Sequence, residues 1–256
     1  MEIDWGDGDY GLIAAALAPT AEVLLDAVRV GQGQALLDVA CGTGNVALAA
    51  AARGAAATGV DASAPLVEQA RERAAAAGLE ARFLEGDAGS LPVPDGAFDA
   101  AASAFGVIFA PDPARALAEM LRVTRPGGLV ALTSWTAEGA IFEAGRILGE
   151  AIPAGDGAGP PPRWDDAGWV REALERAGGR DVRIEAAQIA FSAASPATWL
   201  AEQEARHPAW RWGLRTLGPE AVEKVRARML AALGEGNEDP AAFRATSGYL
   251  VAVAGR

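Results

Sequence analysis

The sequence predicts an α/β fold in which helices cover both faces of a mostly parallel sheet of about seven strands. Two observations carry this prediction. Short apolar runs alternate with helical patterns between residues 35 and 134, and such alternation is typical of right-handed βαβ units. The chain has 256 residues and is 51% hydrophobic, which suffices for a sizeable core and fits a single α/β domain.

The N-terminal segment, residues 1–30, is predicted to hold two short helices. Apolar residues follow a helical spacing over residues 11–29, and Pro19 interrupts that pattern. Proline removes a backbone donor and clashes inside a helix, so one helix should end there and another begin.

Strands and helices then alternate along the core, residues 31–135. Pro65 suits the first turn of its helix and Gly78 its end. We interpret the segment 125–128, RPGG, as a turn that enters the fifth strand. The pattern predicts strands at 35–40, 56–60, 81–85, 98–104 and 128–134, and helices at 45–53, 65–77 and 113–123.

The pattern changes in the C-terminal part, residues 136–256. The segment 152–166 is rich in Gly and Pro and predicts an irregular, mobile loop. A helical stretch at about 195–240 far exceeds the usual connection of ~2 to 6 residues and is interpreted as a lid insertion. The remaining predictions are helices at 140–151 and 166–177, a strand at 181–191 and an antiparallel last strand at 245–254.

Composition excludes several classes of function. The formal net charge is −12, which would repel nucleic acids, because proteins bind them chiefly by neutralising phosphates. Cys41 and His207 are the only residues of their types, so neither a disulfide framework nor a thiolate and imidazole metal cluster is expected. No apolar stretch reaches the roughly 18 to 20 residues of a membrane span. We expect a soluble, unprocessed, cytoplasmic protein of one domain, residues 1–256, with no membrane insertion.

A glycine loop follows the first strand. Residues 42–47, GTGNVA, fit the G-x-G-x-x-G/A fingerprint, in which a helix N-terminus receives an anionic pyrophosphate. Asp38 would place a negative charge near that position and oppose the pyrophosphate, whereas a ligand with a cationic group would gain a charge-assisted hydrogen bond. S-adenosylmethionine (SAM) carries an ammonium and a sulfonium, together with a carboxylate that the loop amides can receive.

Four motifs in order resemble the class I SAM-dependent methyltransferases, particularly the small-molecule group related to the ubiquinone/menaquinone C-methyltransferases. The resemblance covers roughly residues 20–135 and implies a Rossmann-like fold, SAM as cofactor and S-adenosylhomocysteine (SAH) as product. The motifs are LLDVACGTG (36–44), TGVDAS (58–63), FLEGDAGSLPVPDGAFD (83–99) and LRVTRPGG (121–128).

The resemblance also implies a cofactor site along the carboxyl ends of the strands. Asp38 and the glycine loop would line the methionine end of SAM, Asp61 would accept hydrogen bonds from both ribose hydroxyls, and Asp87 with Ala88 would meet the adenine. Ser103 would open the segment that follows the fourth strand and passes beneath the ligand. The cofactor-binding residues implied are Asp38, Gly42, Thr43, Gly44, Asp61, Ala62, Asp87, Ala88, Ser103 and Tyr10.

The acceptor side is less defined by the sequence. Trp5, Tyr10, the segment 105–113 and the tryptophan-containing insertion would build a pocket for an apolar or aromatic small molecule, although ordinary core packing explains the same residues. His207 is the candidate catalytic base, because imidazole titrates near neutrality. It precedes Pro208 at a helix junction, so a capping role stays open.

The sequence leaves three functions open. The first is methyl transfer from SAM to an oxygen, nitrogen or carbon atom of a small molecule, and another is SAM binding without turnover. The third is an NAD(P)-dependent short-chain dehydrogenase, which normally needs Tyr-x-x-x-Lys, and neither Tyr10 nor Tyr249 has a lysine four residues on. No metal is expected, and a homodimer is left open.

Overall fold

The computed structural model describes residues 3–152 and 161–256. Its strands are β1 (Ala35–Val39), β2 (Ala56–Asp61), β3 (Ala81–Glu85), β4 (Phe98–Ala104), β5 (Thr124–Trp135), β6 (Arg180–Ala193) and β7 (Phe243–Gly255). They form one sheet in the order β3-β2-β1-β4-β5-β7-β6, and β1 to β5 pair in parallel. The hydrogen bonds of Arg256 with Gly127 and Gly128 make β7 antiparallel to β5. The predicted fold class is confirmed.

The helices follow the predicted pattern closely. Pro19 begins the second helix, as predicted, and Pro65 lies in the first turn of a helix that Gly78 ends in a left-handed conformation. The predicted helical insertion consists of three helices. The helices are α1 (Gly11–Leu17), α2 (Pro19–Val28), α3 (Asn45–Ala52), α4 (Ala64–Ala77), α5 (Pro113–Val123), α6 (Ala140–Ala151), α7 (Ala167–Arg176), α8 (Pro196–Arg206), α9 (Pro208–Arg215) and α10 (Pro219–Glu235).

The RPGG segment, residues 125–128, belongs to β5, so its interpretation as a turn was wrong. The pairing of β4 with β5 shifts register here, as a β-bulge does. Gly127 has φ +79, and a Cβ on Gly128 would lie 2.5 Å from the carbonyl oxygen of Asp99. The two glycines therefore permit a bulge and a close strand approach, which the sequence alone does not distinguish from a turn.

The chain divides into two compact units. The first contains Met1–Ile13, Trp135–Pro162 and Ala187–Tyr249, and the second contains Ala14–Ser134, Arg163–Ala186 and Leu250–Arg256. In the first unit, α6 and α10 contribute to a core around Trp199, Met229 and Phe243. In the second, the sheet and α5 bury residues such as Leu37, Leu117 and Leu132. That the chain forms a single domain, and that its helical insertion acts as a lid, both stay predictions.

Two further predictions concern the loop rich in Gly and Pro and membrane insertion. Residues 153–160, the middle of the predicted irregular loop, lie outside the described residues. Among the residues that are described, no single helix has the length and apolar character to cross a membrane, and one bent pair, α1 with α2, meets that test only when the two helices are counted together.

Candidate functional site

The candidate site lies in the second unit, where the strand order reverses between β1 and β4. Ligands of open α/β sheets bind outside the carboxyl ends of the strands at such a switch point. Ala40 after β1 and Phe105 after β4 both have positive φ, 51° and 56°, a conformation that costs non-glycine residues energy and is common at functional sites. A Cβ on Gly106 would lie 2.4 Å from the carbonyl oxygen of Ala40. Only glycine fits where these two strand ends meet.

The glycine loop turns sharply from β1 into α3. Gly42 and Gly44 both have positive φ, 54° and 84°, which glycine adopts at little cost. A Cβ on Gly44 would also lie 2.8 Å from the ring of Phe83. The amide of Gly44 donates to the carbonyl of Cys41 at 2.8 Å and closes the turn. The loop therefore needs both glycines for its conformation, and Gly44 also for packing.

Asp38 lies beneath this loop and is 1% exposed. Its Oδ2 accepts a hydrogen bond from the amide of Ala47 at 2.9 Å, in the first turn of α3. Burial, with a smaller contribution from the charge of Asp61, raises the pKa of Asp38 to about 7, and the amides of Ala47 and Val46 oppose the shift. Charging this carboxyl group in the folded protein is therefore unfavourable unless a cation comes near.

Asp61 ends β2 and joins the loop to α4. Its Oδ2 accepts a hydrogen bond from the amide of Gly42 at 2.7 Å, and its Oδ1 accepts one from the amide of Ser63 at 2.8 Å. Burial raises its pKa, and these two amides oppose the shift. The hydroxyl of Ser63 is buried and has no hydrogen-bond partner in the described part of the chain. The sequence patterns did not single out Ser63.

The electrostatics of the site favour a cationic ligand. Asp38 and Asp61 are both buried, and no ion pair within residues 3–152 and 161–256 involves either of them. Buried carboxylates are normally paired with a cation or neutralised by a proton. An ammonium or sulfonium group would relieve the mutual repulsion, whereas a phosphate would add to it.

Other predicted cofactor residues have varied surroundings in the second unit. Ala62 and Asp87 are exposed and Ala88 is half-buried, and Asp87 accepts a hydrogen bond from the amide of Gly89 at 2.6 Å. Thr43 is buried, and both its carbonyl and its hydroxyl accept hydrogen bonds from Arg73. The structure brings these residues to the ends of β1, β2 and β3, as the sequence predicted for the strands.

Ser103 differs from its prediction. Its expected place is the segment after the fourth strand, but β4 spans Phe98–Ala104, the bounds predicted for that strand, and Ser103 lies inside it. Its side chain is fully buried, and its hydroxyl accepts a hydrogen bond from the amide of Val107 at 2.9 Å. The hydroxyl of Thr133 likewise accepts one from the amide of Phe105 at 3.0 Å. Ser103 thus holds the turn after β4 in place.

Tyr10 and His207 belong to the first unit, where they meet Trp5. The three ring centroids are 6.3 to 6.4 Å apart. His207 lies between α8 and α9, and its Nδ1 accepts a hydrogen bond from the amide of Ala209 at 3.2 Å. Burial lowers the pKa of His207 to about 4. At neutral pH the ring is uncharged and Nδ1 caps α9, so this geometry favours the capping role over a general base.

No group of three or more His, Cys, Asp or Glu residues within residues 3–152 and 161–256 could hold a metal ion. The described residues of the site offer carboxylates, backbone amides and hydroxyl groups. These groups suit an organic ligand with both cationic and hydroxyl functions.

Comparisons with known proteins agree with this geometry. Residues 37–132 match the methyltransferase domain family. An uncharacterized protein of Mycobacterium tuberculosis is 41% identical over 172 residues, which cover 66% of this chain and 61% of that protein. Demethylmenaquinone methyltransferase of Thermus thermophilus is 50% identical over 95 residues, 36% of this chain and 43% of that enzyme. The aligned part thus spans less than two thirds of either relative.

The YcgJ protein of Bacillus subtilis has a similar fold, with TM-score 0.64, 18% identity and coverage of 94% of this chain and 98% of that one.

Proposed function

We propose that this chain, whose residues 37–132 match the methyltransferase domain family and whose fold is Rossmann-like, is a SAM-dependent methyltransferase that transfers a methyl group from SAM to an oxygen, nitrogen or carbon atom of an apolar or aromatic small molecule. The observation that carries the proposal is the pair of buried carboxylates, Asp38 and Asp61, which lie beside a glycine turn and have no cation partner among the described residues. Bound SAM would supply a methyl group on a positively charged sulfonium, with SAH as the product.

The loop and the two acids would each bind a different part of the cofactor. Asp38 would attract the ammonium group, and the amide of Thr43 would receive the carboxylate at the methionine end, since the amides of Gly42 and Gly44 already donate to Asp61 and Cys41. Asp61 already accepts hydrogen bonds from two amides, but a carboxylate has about four acceptor positions. The remaining positions would accept the ribose hydroxyls.

The adenine end of the cofactor would contact residues that follow β2 and β3. Ala62, Asp87 and Ala88 would meet the adenine. Ser103 would act indirectly, because its buried hydroxyl accepts a hydrogen bond from the amide of Val107 and so holds the turn after β4. Contact of Tyr10 with the cofactor remains a proposal based on the resemblance.

The acceptor class is proposed from the resemblance and from the aromatic cluster of Trp5, Tyr10 and His207 in the first unit. In-line displacement from a sulfonium depends largely on alignment of the nucleophile with the methyl group. A base with a pKa near 4 removes protons weakly at neutral pH, so His207 would cap α9 rather than act as a general base. We also propose a cytoplasmic location, since the single cysteine is free, and leave a homodimer open.

Ligand binding tests the cofactor assignment. A ligand that binds only the folded protein stabilises it by RT ln(1 + [L]/Kd). Thermal unfolding and calorimetry with SAM, SAH, NAD and NADP should show stabilisation by the first two alone. Stabilisation by NAD or NADP, with none by SAM or SAH, would overturn the proposal.

Transfer is a separate measurement. The protein is incubated with methyl-labelled SAM and a panel of phenols, quinones and amines, and the label is followed into the small-molecule fraction. We expect label in at least one aromatic acceptor and a matching amount of SAH. Tight SAM binding with no label in any acceptor, including those of a bacterial metabolite extract, would instead support a SAM-binding protein without turnover.

A further inference from the structure

Arg73 makes an unusual set of contacts with the glycine loop. It lies in the second half of α4, and its Nη1 donates to the carbonyl oxygen of Thr43 at 2.6 Å and to the hydroxyl of Thr43 at 2.8 Å. The same nitrogen lies 3.0 Å from Oδ1 of Asn45, the first residue of α3. One guanidinium group therefore serves both sides of Gly44.

These contacts hold a tightly turned part of the chain. Gly42 and Gly44 flank Thr43 with left-handed backbone conformations, and the amide of Ala47, four residues after Thr43, donates to Asp38 rather than to the carbonyl of Thr43. A charged donor binds such a carbonyl more strongly than a neutral one does. Arg73 supplies that donor from a neighbouring helix and fixes the direction of the peptide between Thr43 and Gly44.

The charge of Arg73 is not used for an ion pair. Within the part of the chain that the structure describes, the ion pairs of α4 involve Arg71 and Glu68, and none involves Arg73. Partial burial lowers its pKa, which means that the surroundings disfavour the charge. Most arginines of this protein pair with carboxylates. Arg73 instead donates to the carbonyl and the hydroxyl of Thr43 and to the side-chain amide oxygen of Asn45.

Asn45 extends these contacts to the N-terminal helices. Its Nδ2 donates to the carbonyl oxygen of Ala14 in α1 at 2.7 Å. The amide of Ala18 donates to Ala15, so Ala14 needs another donor at the break between α1 and α2. Arg73 binds the Oδ1 of Asn45 and thereby orients its amide group toward Ala14.

We propose that Arg73 is a positioning residue for the cofactor, which presets the glycine loop through Thr43 and Asn45 so that the backbone at Thr43 faces the methionine end of SAM. This inference rests on the proposed function, because the loop is assigned to SAM there. Arg73 itself touches the loop and is assigned no contact with the cofactor.

The test compares Arg73→Ala and Arg73→Lys with Arg71→Ala as the matched control. Arg71 lies on the same helix, but it donates to the backbone carbonyl of Phe83 in β3 and pairs with Glu68, and neither partner belongs to the loop. Isothermal titration with SAH gives the Kd at a temperature where each variant is folded. We expect Arg73→Ala to raise the Kd about tenfold, because SAH must then order a loop that Arg73 no longer presets. Arg73→Lys should recover part of the loss, because an ammonium reaches the carbonyl but lacks the planar fork. Arg71→Ala should leave the Kd unchanged.

A double-mutant cycle with Thr43→Val separates positioning from stability, because this variant removes only the hydroxyl acceptor. The two changes should couple in SAH binding, and hydrogen exchange at the amides of residues 42–46 should be faster in the Arg73 variants without ligand.

Unchanged SAH binding in Arg73→Ala beside a lowered Tm would overturn the inference and leave the proposed function intact. Failure of the wild-type protein to bind SAH would overturn both. If Arg73→Ala does not fold, Arg73→Lys and Thr43→Val must weaken SAH binding, or the inference is wrong.

Discussion

Asp38→Asn should make the protein more stable and at the same time weaken SAM binding. The substitution keeps an oxygen that can accept the hydrogen bond from Ala47, now 2.9 Å from Oδ2, but it removes the charge. Burial raises the pKa of Asp38 from 3.8 to about 7, so the folded protein holds a proton there that the unfolded chain has released. Stability contributed by this group therefore falls as the pH rises from about 4 to about 7 and stays low above that range.

The magnitude follows from the same pKa. One pH unit corresponds to about 1.4 kcal/mol, so ionised Asp38 destabilises the folded protein by at most about 4 kcal/mol at pH 8. Asp38→Asn should recover most of this, and its advantage over the wild type should shrink as the pH is lowered toward 4. Urea unfolding at several pH values measures the difference.

The same variant should bind SAM and SAH at least about tenfold more weakly, because a charge-assisted hydrogen bond to the ammonium is lost. Asp99→Asn is the matched control: Asp99 also accepts a backbone hydrogen bond, from Ala35 at 2.7 Å, but it pairs with Arg125. This control should lose stability slightly and keep its affinity for SAH. An Asp38→Asn protein that is less stable than the wild type at pH 8, or one that binds SAH normally, would refute the electrostatic reasoning.

Three further predictions follow from the site. Asp61→Ala should abolish measurable SAH binding in calorimetry, while Asp61→Asn should retain the fold and bind weakly; normal binding by either would refute the ribose role. His207→Asn keeps an acceptor for Ala209, so methyl transfer should keep its rate and its pH profile between pH 6 and 8, whereas His207→Ala should cost about 1 kcal/mol through the lost cap. Gly106→Ala should lower the Tm and impair SAH binding, because its Cβ would lie 2.4 Å from the carbonyl oxygen of Ala40; a variant with wild-type Tm and affinity would show that this close approach is not needed.

Sequence predicted the elements of this fold well because each leaves a local pattern. Alternating apolar runs and helical spacings give the strands and helices of the core, and Pro19 and Gly78 mark helix ends in the expected way. The RPGG segment was misread, since two adjacent glycines suit either a turn or a bulge. Pairing with β4 decides between them, and that pairing is not local.

The site was predictable only where a motif carries it. The order of the motifs placed Asp38, the glycine loop and Asp61 together, whereas Arg73 lies 30 positions from Thr43 and gives no signal of its own. Arg73 reaches Thr43 because α4 packs beside the loop. That packing depends on which strands are neighbours in the sheet. Gly106 did leave a signal in the sequence, because it follows β4 almost directly. The low pKa of His207 depends on burial, which no single residue type predicts.

Asp38 and Asp61 can stabilise the starts of helices and bind a cofactor at the same time. Asp38 accepts a hydrogen bond from the first turn of α3, and Asp61 accepts hydrogen bonds from the loop and from the start of α4, so both act as caps. These bonds use only part of the acceptor capacity of each carboxylate, and they fix the direction of the remaining lone pairs. Register brings the acids together, because Asp38 is paired with Gly59, two residues before Asp61, on the adjacent parallel strand. A carboxylate held by backbone amides loses little conformational freedom when a ligand arrives, and a pre-organised group binds more tightly than a mobile one. The caps therefore contribute to recognition of a cationic cofactor as well as to the fold.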